Sequence, residues 1–127
     1  FDLIHFKSSP ATFSIPQEWG TVQQTFRSPD PFAPWIIHIQ TMHGDYAAQE
    51  SVKNLLEYLH EHHQIDTALL EGASGELEPK LLQFFKRPEA NLAFAKRLAE
   101  KGALTGAELF LLTEPSSFNA FGVERQD

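Results

Sequence analysis

The stretch WIIHIQTMHGDYAAQESVKNLLEYL, residues 35–59, changes its hydrophobic period halfway along, and this change decides the fold. Trp35–Met42 is short, β-branched and apolar on both faces, which is the pattern of a parallel strand covered on both sides. Asp45 is a good N-cap for a helix that starts at Tyr46 and runs to about His62. The apolar residues at helical spacing on this helix are Ala48, Val52, Leu55, Leu56 and Leu59.

A second apolar strand follows the helix. The segment DTALLEG places it over Thr67–Glu71, and the glycines of GASG end it. A strand, a helix and a strand form one βαβ unit, whose crossover is right-handed and whose strands are parallel. The sequence therefore predicts an α/β fold: an open sheet flanked by helices, in which Trp35–Met42 and Thr67–Glu71 are adjacent.

The remainder of the chain is predicted to be mainly helical. Pro79 and Pro88 each mark the first turn of a helix. Thr105 and Glu108 form a capping box before a short helix over Ala107–Leu112, and FGVE at residues 121–124 opens a third strand. The residues assigned to the inner faces of the two proline-initiated helices are Leu81, Leu82, Phe85, Leu92, Ala95, Leu98 and Ala99, with Gly102 as a C-cap.

Two regions are predicted. Residues 1–34 are irregular and rich in proline, with short strands at LIHF and TVQQTF, and residues 35–127 form the α/β domain. This domain is predicted to be part of a larger one, incomplete at its C-terminus, because the apolar residues Phe118, Phe121 and Val123 come just before the end. A second copy in a homo-oligomer, or a C-terminal partner segment, is expected to cover them.

Composition excludes several classes of protein. The 127 residues suffice for one domain, and 42% hydrophobic with 21% charged residues is a globular composition. No apolar run approaches the ~20 residues of a membrane span. The net charge of -7 disfavours nucleic acid as a partner. Without cysteine there is no disulfide, no Cys-ligated zinc and no thiol nucleophile, but the compartment stays open.

One candidate site follows from the predicted sheet. His43 lies just past the first predicted strand and Glu71 ends the second. Adjacent strands lie ~5 Å apart, so both side chains should converge in the crevice that open α/β sheets use for ligands. The helix N-terminus near Tyr46 points to the same place and suits an anion. An imidazole with a carboxylate suits a divalent metal, or a general base with an orienting acid. The alternative is a structural role, in which His43 caps the loop and Glu71 binds backbone amides. The two interpretations have equal weight.

Other polar residues have simpler interpretations. Gln40 and Thr41 could line the crevice as ligand-binding residues. Asp45 is a helix cap in preference to a ligand, and His38 is a hydrogen-bonded core histidine. The HEHH segment at residues 60–63 ends a helix, where side chains diverge by ~100° per residue. It is predicted to be exposed to solvent and to bind no physiological metal.

The segments IIHIQTMHGDYAAQESVKNLLEYL and DTALLEGASG resemble the opening half of the superfamily that contains the TraB and Tiki proteins, the haem-binding ChaN-like lipoproteins and the erythromycin esterases. The resemblance covers residues 36–75, and GVE at 122–124 extends it. It implies functional roles for His43 and Glu71, the strand-end histidine and acid of those families. Gln40 departs from the Tiki pattern, which has glycine there, and family members use a second histidine-bearing half further along. Uncharacterised bacterial proteins are the closest likeness, and a bacterial extracytoplasmic location is slightly favoured over a cytoplasmic one.

Three functions remain open at this point. The first is a metal-assisted hydrolase half-site, in which His43 and Glu71 are ligands or bases and Glu124 is a third metal ligand. The second, which the ChaN-like resemblance implies, is a non-enzymatic domain for haem or another small molecule, with phenylalanines lining an apolar pocket. The third is a structural or partner-binding module of a longer protein. A small molecule or a peptide is the expected ligand, and a divalent metal ion is preferred to haem as cofactor.

Overall fold

A computed structural model describes residues 13–42, 44–78, 80, 83–113 and 118–125. The elements follow one another as helix α1 (Tyr46–His63), strand β1 (Thr67–Leu70), strand β2 (Ser74–Glu76), helix α2 (Pro88–Glu100), helix α3 (Gly106–Thr113) and strand β3 (Asn119–Val123).

The sheet is open and has three strands in the order β1-β3-β2. β1 and β3 are parallel, with Thr67 opposite Asn119 and Leu70 opposite Gly122. β2 is antiparallel to β3. The predicted α/β class, with parallel strands in an open sheet beside helices, is therefore confirmed, and the third strand predicted at residues 121–124 exists at 119–123.

The assignment of Trp35–Met42 to this sheet is wrong. This segment belongs to no strand, and its side chains alternate between half-buried and exposed along its whole length. A central strand needs both faces covered, whereas Ile36, His38, Gln40 and Met42 all point outward. The segment lies with its other side toward the core, where Ile39 packs. The parallel neighbour of β1 is β3, reached through β2, α2 and α3 rather than through α1.

Helix α1 begins and runs as its sequence predicts. The Asp45 Oδ1 atom accepts a hydrogen bond from the Ala47 amide at 2.9 Å, which confirms the N-cap. Leu55, Leu56 and Leu59 of the predicted stripe are buried. Gln49, which the pattern gives no reason to place inside, is buried as well. Its Oε1 atom accepts from the Gly106 amide at 2.7 Å, so it joins the starts of two helices.

Local signals also set the starts of α2 and α3. Pro88 occupies the first turn of α2, as predicted. The capping box is confirmed, because the Thr105 amide donates to Glu108 Oε2 at 2.7 Å and the Glu108 amide donates to Thr105 Oγ1 at 3.3 Å. Gly102 follows α2 with a φ of 72°, a left-handed conformation that glycine adopts readily. Pro79, Leu81 and Leu82 lie outside the described residues.

The inner face of α2 is narrower than predicted. Ala95 and Ala99 are buried and Leu98 is half-buried, whereas Leu92 is exposed. Phe85, predicted for the inner face of the preceding helix, is also exposed and lies in no helix. The missed residue of α2 is Asn91, which is buried. Its Oδ1 atom accepts from the Phe85 amide at 2.7 Å and its Nδ2 atom donates to the Phe85 carbonyl at 2.8 Å. The side chain thus fixes the loop that precedes α2.

The core lies on one face of the sheet. Phe110 of α3 is completely buried. Its cluster contains Leu56 of α1, Leu70 of β1, Ala120 of β3 and Phe118, which directly precedes β3. On the opposite face, Leu69, Phe121 and Val123 are exposed. Phe118 therefore needs no further covering. For Phe121 and Val123, covering by a second copy or a partner segment stays a prediction.

Candidate functional site

Two carboxylates lie at the edge where the parallel strands end. Glu71 directly follows β1 and Glu124 directly follows β3. Because Leu70 and Gly122 are register neighbours, the two acidic residues leave the sheet at the same edge. Glu124 is held there by two hydrogen bonds. Its Oε1 atom accepts from the Gly72 amide at 2.9 Å, and its own amide donates to the Ala73 carbonyl at 3.0 Å.

Glycines make this close arrangement possible. Gly72 has a φ of 80°, so the chain turns sharply after Glu71 and returns as β2. The returning backbone at Ala73 and Ser74 passes directly over Gly122, where a Cβ atom would collide with backbone atoms of both residues. The turn therefore presses against β3, and this contact brings Glu124 next to Gly72.

The N-terminal end of α1 is predicted to point to the same edge. Residues 64–66 join α1 to β1, and Leu56 of α1 and Leu70 of β1 belong to the same hydrophobic cluster. The first turn of α1 begins at Tyr46. His43, which precedes this turn, lies outside the described residues. Its neighbour Met42 is tied to α1 through a 3.4 Å hydrogen bond from Gln49 Nε2 to the Met42 carbonyl.

The remaining predicted ligand-binding residues lie elsewhere. Gln40 and Thr41 line a wide cleft between the irregular segment at residues 13–42 and α1. Asp45 uses its carboxylate as a helix cap. The prediction of a core histidine at residue 38 is wrong, because this side chain is exposed. Its position in an alternating segment, rather than in a central strand, explains the difference.

The cleft is not shaped like a pocket for one small molecule. It has a volume of about 1780 Å³, whereas pockets for small ligands usually enclose ~300–1,000 Å³. Two of the eleven phenylalanines, Phe13 and Phe26, line it. The cleft lies between the irregular segment and α1. It gives little support to the predicted phenylalanine-lined cavity for haem.

The histidines at the end of α1 are more buried than predicted. His60 places Nδ1 2.9 Å from the Ile65 carbonyl oxygen and meets the ring of Phe118 edge-on at 5.6 Å. His63 meets the rings of Phe13 at 5.1 Å and Tyr58 at 5.4 Å. The prediction of solvent exposure is thus wrong for both and right for His62. The rings of His60 and His63 contact different neighbours, because successive residues of a helix point in different directions. That this segment binds no metal stays a prediction.

Burial gives His63 a testable pH dependence. Burial, and then the neighbouring His62, lower the pKa of His63 below 6.5. The unfolded chain therefore binds more protons than the folded one as the pH falls below 6.5, so acid reduces stability through this group and alkali does not. We expect His63→Gln to flatten the decline in Tm between about pH 7 and about pH 5. The control is His38→Gln, because His38 is exposed and is not one of the groups that lower the pKa of His63, and an unchanged slope in His63→Gln would contradict the assignment.

Comparison with protein family models, with curated proteins and with solved structures finds no match to this chain. In the part of the chain that the structure describes, no helix is both long and apolar enough to cross a membrane. Within the same residues, no group of three His, Cys, Asp or Glu side chains is arranged to hold a metal ion. The resemblance to the TraB, Tiki, ChaN-like and erythromycin esterase families stays a prediction.

Proposed function

We propose that the edge where β1 and β3 end is a metal-assisted hydrolytic site, with Glu71 and Glu124 as carboxylate ligands and His43 as a further ligand or general base. The observation that carries this proposal is the hydrogen bond from the Gly72 amide to Glu124. It holds the Glu124 carboxylate at the residue that directly follows Glu71. In open α/β sheets, this edge is the usual position of a ligand site.

The donor chemistry suits a divalent cation. Carboxylate oxygens and an imidazole nitrogen are the common ligands of zinc and manganese in proteins. Glu71 is exposed and free to turn toward a ligand. Glu124 directs one oxygen to the turn, and its second oxygen accepts no hydrogen bond from the described residues. The described residues supply two ligands, so the proposal requires His43 or a group of the substrate as the third.

The residues of the chain have distinct roles in this proposal. Glu71 and Glu124 bind the cation and neutralise its charge. His43, if it is not a ligand, takes a proton from the attacking water as a general base. A bound divalent ion supplies the chemistry of lowering the pKa of water toward neutrality. The substrate class is a small molecule or a peptide with a hydrolysable bond.

Metal titration tests this proposal directly. We expect Mn²⁺ or Zn²⁺ to bind the parent protein, measured by calorimetry, and Glu71→Gln, Glu124→Gln and His43→Ala to weaken binding by at least about tenfold, since each removes a ligand. Glu124→Gln keeps an oxygen that can accept the hydrogen bond from the Gly72 amide. It therefore removes the carboxylate charge while preserving the turn at Gly72. Hydrolysis of ester and amide panels would then separate catalysis from simple binding.

The exposed Glu61 on α1 provides the matched control, because Glu61→Gln removes the same charge away from the site. Metal binding by Glu71→Gln and Glu124→Gln as tight as that of the parent would show that the two carboxylates serve only the turn. Binding that is lost in these variants without any hydrolysis in the parent would favour the non-enzymatic alternative.

A further inference from the structure

The positive charge of this acidic protein is concentrated in one stretch. Residues 80–101 contain six of the ten Lys and Arg residues but two of the seventeen Asp and Glu residues, for a net charge of +4. The rest of the chain carries four basic and fifteen acidic residues, a net charge of -11, and the two parts add to -7. Residues 80–101 are therefore a basic segment in a chain that is otherwise acidic.

Three aromatic rings are exposed in the same stretch. Phe84 is 63% exposed, Phe85 47% and Phe94 36%. Phe94 meets Phe84 at 5.6 Å and Phe85 at 5.7 Å between ring centroids, in edge-to-face contacts. Exposed apolar residues that form one contiguous group mark an interaction surface more often than scattered ones. The buried Asn91 binds both backbone groups of Phe85, so the backbone of this residue is fixed in position.

The cations border these rings. Lys86 and Arg87 directly follow Phe85, and both are exposed. Arg97 follows Phe94 by three residues on α2, and Lys101, the C-cap of this helix, follows Phe94 by seven, which is the spacing of one helix face. None of these four side chains has an ion pair within 4.0 Å among the residues that the structure describes. Lys96 lies apart from them, near the Tyr46 ring and Glu50.

We propose that this surface, formed by Phe84, Phe85, Phe94, Lys86, Arg87, Arg97 and Lys101, binds the surface of an anionic phospholipid bilayer. The phenylalanine rings enter the boundary between headgroups and acyl chains, and the basic side chains contact the anionic headgroups. The proposal is independent of the metal site.

The geometry favours a bilayer over other anionic partners. Base stacking on single-stranded nucleic acid uses aromatic rings on which successive bases can lie, whereas Phe94 is inclined by 85° to Phe84 and by 78° to Phe85, so the three rings do not form one stacking surface. An acidic peptide would favour a groove, and the wide cleft lies elsewhere, beside residues 13–42. The acidic remainder of the protein is repelled by the same membrane, so binding should orient the molecule and weaken as salt screens the attraction.

Vesicle co-sedimentation tests the proposal. We expect the protein to bind vesicles of phosphatidylserine and phosphatidylcholine in equal parts, and not vesicles of phosphatidylcholine alone. Arg97→Gln with Lys101→Gln should weaken binding about 30-fold, from the usual contribution of two cations near such a surface. Phe84→Ser with Phe85→Ser should weaken it by at least about tenfold. Both pairs are exposed, and thermal unfolding of each variant confirms that the fold is kept.

Matched controls come from exposed residues off the surface. Phe26→Ser with Phe32→Ser removes two highly exposed rings, and Arg27→Gln with Arg125→Gln removes two exposed cations. Both controls should bind as the parent does. Equal binding to the two kinds of vesicle, binding unaffected by either surface variant, or tighter binding to a single-stranded oligonucleotide or to polyglutamate would overturn the proposal.

Discussion

Gly122→Ala is expected to reduce the free energy of unfolding by about 3 kcal/mol, because the added methyl group meets backbone rather than a movable side chain. The new Cβ atom would collide with backbone atoms of Ala73 and Ser74, so β2 would have to move away from β3. Urea denaturation at a constant m-value measures the change.

Gly20→Ala is the control for this experiment. A Cβ atom at Gly20 would be 3.4 Å from Ile15 Cδ1, the end of a flexible side chain. Its effect should be close to zero, or slightly stabilising, because alanine restricts the unfolded chain. Equal midpoints for the two variants would show that β2 is not held against β3. Because the same contact positions Gly72 beside Glu124, any folded fraction of Gly122→Ala should also bind metal more weakly than Glu61→Gln.

Features set by neighbouring residues were predictable from the sequence. The Asp45 cap, the proline at the start of α2 and the Thr105–Glu108 capping box each depend on groups within a few residues of one another. The apolar stripe of α1 follows from its own period. Such local signals do not depend on how the rest of the chain folds, so the wrong assignment of another segment does not affect predictions made from them.

Pairing between distant segments was not predictable in the same way. Trp35–Met42 is apolar enough for a central strand, but its side chains alternate in burial and it pairs with no strand. β2 has the sequence Ser-Gly-Glu, which has little strand propensity. It is a strand because β3 lies beside it and because Gly122 allows close contact. The partner of β1 is fifty-two residues away in sequence, with Thr67 opposite Asn119.

The prediction of the candidate site was partly independent of that error. Glu71 was assigned to the end of a parallel strand, and Glu124 was named as a third metal ligand in a segment expected to open a third strand. The structure has both residues at the edge where β1 and β3 end. The neighbour expected for β1 was wrong, but the rule that parallel strands end together applies to any parallel pair. Gln49 and Asn91 were missed because their burial depends on distant or non-periodic backbone partners, which hydrophobic spacing does not reveal.

Phe110→Ala is expected to reduce the free energy of unfolding by about 3–5 kcal/mol, the range for removal of a fully buried phenylalanine. Phe110 has no exposed surface, and its ring contacts Phe118 at 4.8 Å and His60 at 6.2 Å. Phe110 lies where α1, α3 and the start of β3 meet. The cavity left by Phe110→Ala would therefore be surrounded by three elements, which cannot all move inward to fill it.

Phe32→Ala is the control for the loss of a phenylalanine as such, because this ring is exposed, and it should change stability by less than about 0.5 kcal/mol. Phe110→Leu fills part of the space and should be destabilised less than Phe110→Ala. If the cavity stays dry and open, benzene should bind to Phe110→Ala and raise its Tm but leave that of the parent unchanged. Equal midpoints for Phe110→Ala and Phe32→Ala in urea would mean that α3 does not pack on the sheet, and the core would have to be placed elsewhere.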